Sequence, residues 1–418
     1  MRVNVVAVIA AAAIALVAPL VGQTPSVFPA LDVRVPVPPR PFTVAGTTYL
    51  VYELHVTNLS AQRTTLERIE VADRAAPQNA PPLLRLESAA LDAALVRPGA
   101  PPDDPARRVL PGGRMAILFA WIAVPSAAAP AALTHRFAVR VAPPGAPSAS
   151  AATEAAAGDG FPLTVSGVEV AVAAGKPPIL DAPLEGDLWL AANGPDNAVG
   201  HRRTLLALAG QARIAQRYAV DWVRLHADGR TFRGDPRMNA SYRAFGARVF
   251  AVADGVVADI VDGIPDNVPD PVARAVPITP ATLGGNYVLL ELADETFVVY
   301  AHLQAGSLQV KKGERVRRGQ VLGLVGNTGN SSEPHLHFQV ADRRTAFDAE
   351  GMPYGLASFD LQADPAVVTP AIVPVGGSLG IDASALAGWT AAPAQRRTGE
   401  MPLLNAIVRF DRLREPGP

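Results

Sequence analysis

The sequence contains no cysteine, which excludes disulfides, thiolate metal ligands and cysteine nucleophiles together. Stability must come from buried cores, and 418 residues with 49% hydrophobic content supply material for two or three domains. Charge of one sign is also missing. The 37 Lys and Arg against 38 Asp and Glu leave a formal net charge of -1, with no sustained basic or acidic run. That argues against a nucleic-acid surface or a charged tail. Aromatics are scarce at 6%, whereas 40 prolines and 35 glycines punctuate the chain. This balance predicts many short strands and turns rather than long helices. Beyond residue 21 there is no long uncharged apolar run, so only the N-terminus bears on a membrane.

That terminus, "MRVNVVAVIAAAAIALVAPLVGQ", carries one positive charge at Arg2, an apolar run from Val5 to Val21 and a small residue, Gly22, near a cleavage point. Residues 1–22 read as a secretory signal peptide; retained, they would be a single membrane tether. The mature chain is expected to be exported, to the periplasm, the cell envelope or the medium.

The pattern along the rest predicts a mainly β protein. Strand-like runs at 48–58, 65–73, 114–124, 135–142 and 161–173, separated by Pro-, Gly- and Asp-bearing turns, predict a β-sandwich-like domain over 23–180. Its histidines, His55 and His135, read as surface or core-edge residues without a partner. A compact antiparallel-β domain is expected over 190–345. There 247–261 forms two apolar runs around Asp254-Gly255, and 286–303 reads as a hairpin about Ala293-Asp294-Glu295. Residues 346–418 read as an irregular extension packed on that domain.

The chemistry lies in "SSEPHLHFQV" (331–340). On a strand, His335, His337 and Gln339 share one face and Leu336, Phe338 and Val340 the other. "VVYAHL" puts Val298, Tyr300 and His302 on one face, and "RYAVDWV" groups Arg217, Ala219, Asp221 and Val223. Asp221, His302, His335 and His337 are thus polar residues on strands that otherwise read as core, where an unpaired charge costs several kcal/mol. A divalent cation satisfies neutral imidazole and carboxylate together.

With "FAVADGVV" (250–257), "YAHL" (300–303), "VKKGERVRRGQVLGLVGNTGNSSEPHLHF" (310–338) and the Asp of "YAVDW" (218–222), the chain resembles the M23 (lysostaphin/LytM-type) zinc metallopeptidases over roughly 200–342. The resemblance implies that Asp221 and His337 are zinc ligands and that His302 and His335 are the two non-ligand catalytic histidines. One departure matters. The first ligand of the family is usually a His four residues before the Asp, and here that position is Arg217, which cannot coordinate zinc. Three protein ligands are needed. His226 falls on the wrong face of a continuing strand. His201, in "GHRRTLLAL", is the expected third ligand, brought back by a hairpin through Gly210-Gln211. Arg217 is expected to pair with a carboxylate near the metal.

The resemblance implies an exported zinc endopeptidase that hydrolyses peptides of peptidoglycan, with zinc-activated water attacking a carbonyl and His302 and His335 assisting. The alternative is a degenerate M23-type module without catalysis that binds or regulates cell-wall hydrolases. Arg217 favours it, and the four retained polar groups oppose it.

Overall fold

The structure is a computed structural model that describes residues 29–101, 103–143, 160–375 and 378–411. The expected signal segment lies outside the described residues. Among the described residues no helix is long and apolar enough to cross a membrane.

The protein is mainly β. In the first half, two five-stranded sheets lie face to face. One runs Leu31–Arg34, Thr47–Asn58, Met115–Pro125, Leu95–Val96, with Phe42–Val44 paired to Thr47–Asn58. The other runs Phe161–Ala171, Ala132–Val141, Thr64–Asp73, Leu84–Glu87, with Val109–Leu110 paired to Thr64–Asp73. The two-residue period of a strand sends Leu50, Tyr52, Leu54 and Val56 inward, where they meet Ile69, Val71, Phe137 and Val139 of the opposite sheet. His135 belongs to this interior, contrary to the reading of an unpartnered edge residue. It is 1% exposed and bonded to the Tyr52 hydroxyl (2.7 Å) and the Val168 carbonyl (2.8 Å). A buried imidazole is tolerated when both ring nitrogens find partners.

The alternate residues of the same sheet face outward. Val51 and Glu53 stand opposite Trp121 and Phe119 in the strand register. This outer face is also covered: Phe42 and Val51 join Tyr218, Trp189 and Trp222 of the second half in one core, and Ile117 and Phe119 pack on Ile214. "MAILFAWIAV" is apolar on both faces for that reason.

The second half is built on a ten-stranded antiparallel sheet. Its middle runs Asn286–Glu291, Phe297–Leu303, Leu336–Ala341, Val220–Arg224, Gly186–Ala192. Residues 286–303 form the expected hairpin. The two runs around Asp254-Gly255 do not pair with each other: Arg248–Phe250 pairs with Val321–Leu324, and Gly255–Val261 pairs with Asn286–Glu291. The stretch after 345 is not simply irregular. Phe359–Ala363, Gln395–Arg397 and Ile407–Phe410 continue the large sheet beyond Gly186–Ala192. These strands are too short to show a period, yet they cover an edge that would otherwise present unpaired backbone groups.

Candidate metal centre

Three neighbouring strands carry the site. Asp221 and His337 are direct partners across the ladder between Val220–Arg224 and Leu336–Ala341, and His337 is also opposite Ala301 of Phe297–Leu303. Carboxylate and imidazole therefore meet by register alone, with Asp221 Oδ1 2.9 Å from His337 Nδ1. His335 lies just before its strand, with Nε2 3.4 Å from Asp221 Oδ1.

His302 arrives by a different route. Strict alternation would put it with Val298 and Tyr300, away from His337. The register instead slips between Asn286 and Val288, and His302 adopts φ 62°. This left-handed residue acts as a bulge. Leu303 takes the inward position with Val298 and Tyr300, while the His302 ring turns to within 4.8 Å of His335 and 5.7 Å of His337. Gly285 makes the kink feasible. A side chain there would collide with Thr328, whose carbonyl accepts the His302 Nδ1 hydrogen (2.7 Å).

His201 is not on a strand. It sits on the single helical turn Gly200–Arg203, ahead of the hairpin Leu206–Leu208/Gln211–Arg213. The ring nevertheless reaches the centre, with Nε2 3.4 Å from Asp221 Oδ2 and its plane edge-on to His337 at 4.9 Å. One ligand atom each from His201, Asp221 and His337 lie within 4.8 Å of one another. His226 lies past the end of the Asp221 strand and takes no part.

Arg217 leaves the site. The strand of Asp221 begins only at Val220, and Arg217 lies in the preceding turn, so the shared face expected for the two does not exist. Its guanidinium instead bonds Glu53 (3.1 and 2.8 Å), Glu350 (2.7 Å) and the Gly351 carbonyl (3.1 Å). None of these is a carboxylate of the metal cluster.

The hydrogen-bond partners of the rings fix where their lone pairs point. Backbone carbonyls take the Nδ1 hydrogens of His201 (Asn193, 2.9 Å), His302 (Thr328) and His335 (Glu333, 2.8 Å), leaving each Nε2 as a bare acceptor. For His337 the order is reversed. The Gln339 amide donates through Nε2 to the Ala346 carbonyl (2.8 Å), so its Oε1 faces His337 Nε2 (2.9 Å), which must carry the hydrogen. His337 Nδ1 is then an acceptor too. Gln339 is fully buried and orients a ring; it does not line the groove.

Acceptors thus face acceptors around Asp221, and His335 Nε2 is buried with no hydrogen-bond partner. The Asn193 side-chain N–H donates to the carboxylate at Oδ2 (2.9 Å). Asn193, which the sequence reading missed, follows the strand Gly186–Ala192 with φ 45°; the Asn-Gly pair at 193–194 was the available signal. A cation among these atoms resolves the conflict. Two N/O donors, Nε2 of His201 and Oδ2 of Asp221, are 3.4 Å apart, close to the separation of about 3.3 Å that tetrahedral bonds of about 2.0–2.1 Å produce. The donor set fits a divalent ion of zinc type.

The same cluster couples its charges, and without a metal ion a proton on an imidazole plays the part of the cation. Burial pushes the Asp221 carboxyl up, but the surrounding imidazoles, His201 and His335 foremost, outweigh it and hold it well below the usual carboxylate range. Burial, then His335 and His337, drive His302 well below the usual histidine range, so it is neutral. Burial also lowers His201. For His335, burial pushes down but Asp221 outweighs it and the ring is raised. The cluster opens into a groove of about 630 Å³ that His201, Asp221, His302, His335 and His337 all line.

Residues 240–349 match peptidase family M23. The matched segment contains His302, His335 and His337 but neither His201 nor Asp221. Over 59 residues the chain is 44% identical to the peptidoglycan DD-endopeptidase ShyA of Vibrio cholerae, covering 14% of this chain and 13% of that protein. Over 86 residues it is 40% identical to the cell division protein DipM of Caulobacter vibrioides, covering 21% and 12%. The chain thus spans only about an eighth of the length of these relatives. Among solved structures, the catalytic domain of lysostaphin from Staphylococcus simulans is 25% identical over 37% of this chain and 76% of that one, with a TM-score of 0.18. The segment 240–349 thus carries a match to peptidase family M23, in keeping with the resemblance read from its motifs.

Proposed function

We propose that this protein is an exported zinc endopeptidase that hydrolyses peptide bonds of peptidoglycan, with His201, Asp221 and His337 as the metal ligands. The observation that carries the reading is the convergence of one ligand atom each from His201, Asp221 and His337 to within 4.8 Å of one another. Zinc held there supplies Lewis acidity, which makes water acidic enough to attack at neutral pH and polarises a carbonyl.

The chain's own residues do the rest. Neutral His302, with Nδ1–H tied to Thr328 and Nε2 bare, is able to take a proton. His335, held by the Glu333 carbonyl beside Asp221, is the more easily protonated ring and is suited to donate one, or to steady a developing oxyanion. The two rings lie side by side, 4.8 Å apart, on one wall of the groove, so a carbonyl between them would meet one base and one donor. The substrate class rests on the peptidoglycan enzymes to which the matched segment is similar, and export on the signal-like residues 1–22. The division into a sandwich at 23–180, a peptidase domain at 190–345 and a C-terminal extension is part of this proposal.

The degenerate, non-catalytic reading drew on Arg217 at the usual ligand position. His201 beside Asp221 weakens it. The test is metal analysis with turnover. The purified protein is expected to hold one zinc per chain and to cleave cross-linked cell-wall peptides, and His337→Ala and Asp221→Ala are expected to lose both properties. Wild-type turnover from either variant would reject the assignment.

A further inference from the structure

The first half of the chain has no side chain in the groove: every lining residue lies between Ala192 and Phe347. It neither covers the groove nor supplies a donor, among the described residues. It reaches the site from behind. We propose that the sandwich is a working part of the metal centre, in which Glu53, through Arg202, is a positioning residue that holds His201 against Asp221. The inference rests on the zinc reading above.

His201 is the least supported member of the donor set: Asp221 and His337 come from adjacent strands, whereas it rides on one helical turn of four residues. One turn does not hold itself together. Its ring has a single orienting bond, to the Asn193 carbonyl, which sets the tautomer but not where the backbone sits. The next residue does that. Arg202 is fully buried and forks onto the Glu53 carboxylate and the Tyr52 carbonyl (2.9 Å). Arg203 bonds the carbonyls of Asn197 (2.6 Å) and Ala93 (2.8 Å). Both guanidiniums lie over the Phe119 ring, at 4.9 and 4.6 Å, and the Asn197 amide donates to the Phe119 carbonyl (2.9 Å). The segment bearing His201 is thus fastened to the outer face of the first sheet.

Glu53 is what makes that face unlike a spacer's. It is 1% exposed among Val51, Phe119 and Trp121, where an unpaired carboxylate would cost several kcal/mol. It pairs with two arginines. Arg217 stands where a ligand is usually found four residues before the aspartate, and Arg202 adjoins the residue that stands in for that ligand. One carboxylate draws the first away from the centre and holds the second beside it.

The test compares zinc affinities of the full chain by chelator competition. Arg202→Met removes the anchor while Glu53 keeps its two bonds from Arg217, so the buried carboxylate stays compensated. The variant is expected to bind zinc about 10- to 100-fold more weakly. Adding it to His201→Ala is expected to cost nothing beyond His201→Ala alone, because the anchor acts only through that ring. Wild-type affinity in Arg202→Met, or losses that multiply in the double variant, would overturn the inference. If Arg202→Met does not fold, Arg202→Lys, which keeps a positive charge beside Glu53 but loses the fork that also reaches the Tyr52 carbonyl, carries the same comparison with the same two outcomes. A wild-type chain without zinc affinity would reject the metal reading itself, a result distinct from either.

Discussion

His337 Nδ1 and Asp221 Oδ1 lie 2.9 Å apart with no hydrogen to share once the Gln339 amide has claimed the other ring nitrogen. With the ring neutral, the contact is repulsive until a cation, a proton or a metal ion, enters. Zinc should therefore stabilise the fold as well as serve the reaction. At a free concentration one hundred times Kd the expected gain is about 2.7 kcal/mol, read as a rise in the urea midpoint. His337→Ala should abolish the zinc-dependent part.

Gln339 controls which nitrogen of His337 faces the centre. Gln339→Leu leaves the ring free to take the other tautomer and strands the Ala346 carbonyl. Zinc affinity is expected to fall about 10- to 100-fold, measured by competition with a chelating dye. Gln339→Glu retains an acceptor for the ring and should keep most of the affinity.

His302 touches no ligand position in the proposed scheme, so its removal separates chemistry from metal binding. His302→Ala is expected to lower kcat by about 10²- to 10⁴-fold with zinc content unchanged. A parallel loss of zinc would instead make it a ligand.

Glu53 links acid stability to the contact between the two halves. Burial pushes its carboxyl up, but Arg202 and Arg217 outweigh that and bring it down to about 2 from an ordinary 4.5. A depressed carboxyl contributes stability above its unfolded value and loses it as pH falls toward its folded value. The contribution, on the order of 3 kcal/mol, is thus complete above about pH 4.5 and disappears toward pH 2. Urea midpoints measured from pH 6 to 2.5 should show this fall, and Glu53→Gln should flatten it from a lower starting stability.

Much of the site was legible because strands alternate. The spacing of His335 and His337 predicted a shared face for those two, and the apolar surroundings of Asp221 marked it as a polar residue on a core strand; register then brought Asp221 and His337 opposite each other. Alternation failed where the backbone departs from it. His302 reaches the cluster through a left-handed bulge, and Arg217 lies in a turn before its strand begins. His201 was named for the right neighbourhood but by the wrong path, since a helical turn and not the hairpin carries it there. The strands after residue 358 went unread because three to five residues hold too little of a period.

The amino-acid sequence by itself determined the chemistry available: imidazoles and carboxylates but no thiolates, and a β architecture dense in turns. Those follow from side-chain type and from a local period of two, which need no distant partner. Only the tertiary structure decided which lone pairs converge and what stands behind them. Glu53 and Arg202 are 149 positions apart, and nothing local to either announces the other. Their pairing follows from the cost of leaving a charge buried alone, a cost that exists only once two sheets have closed over it.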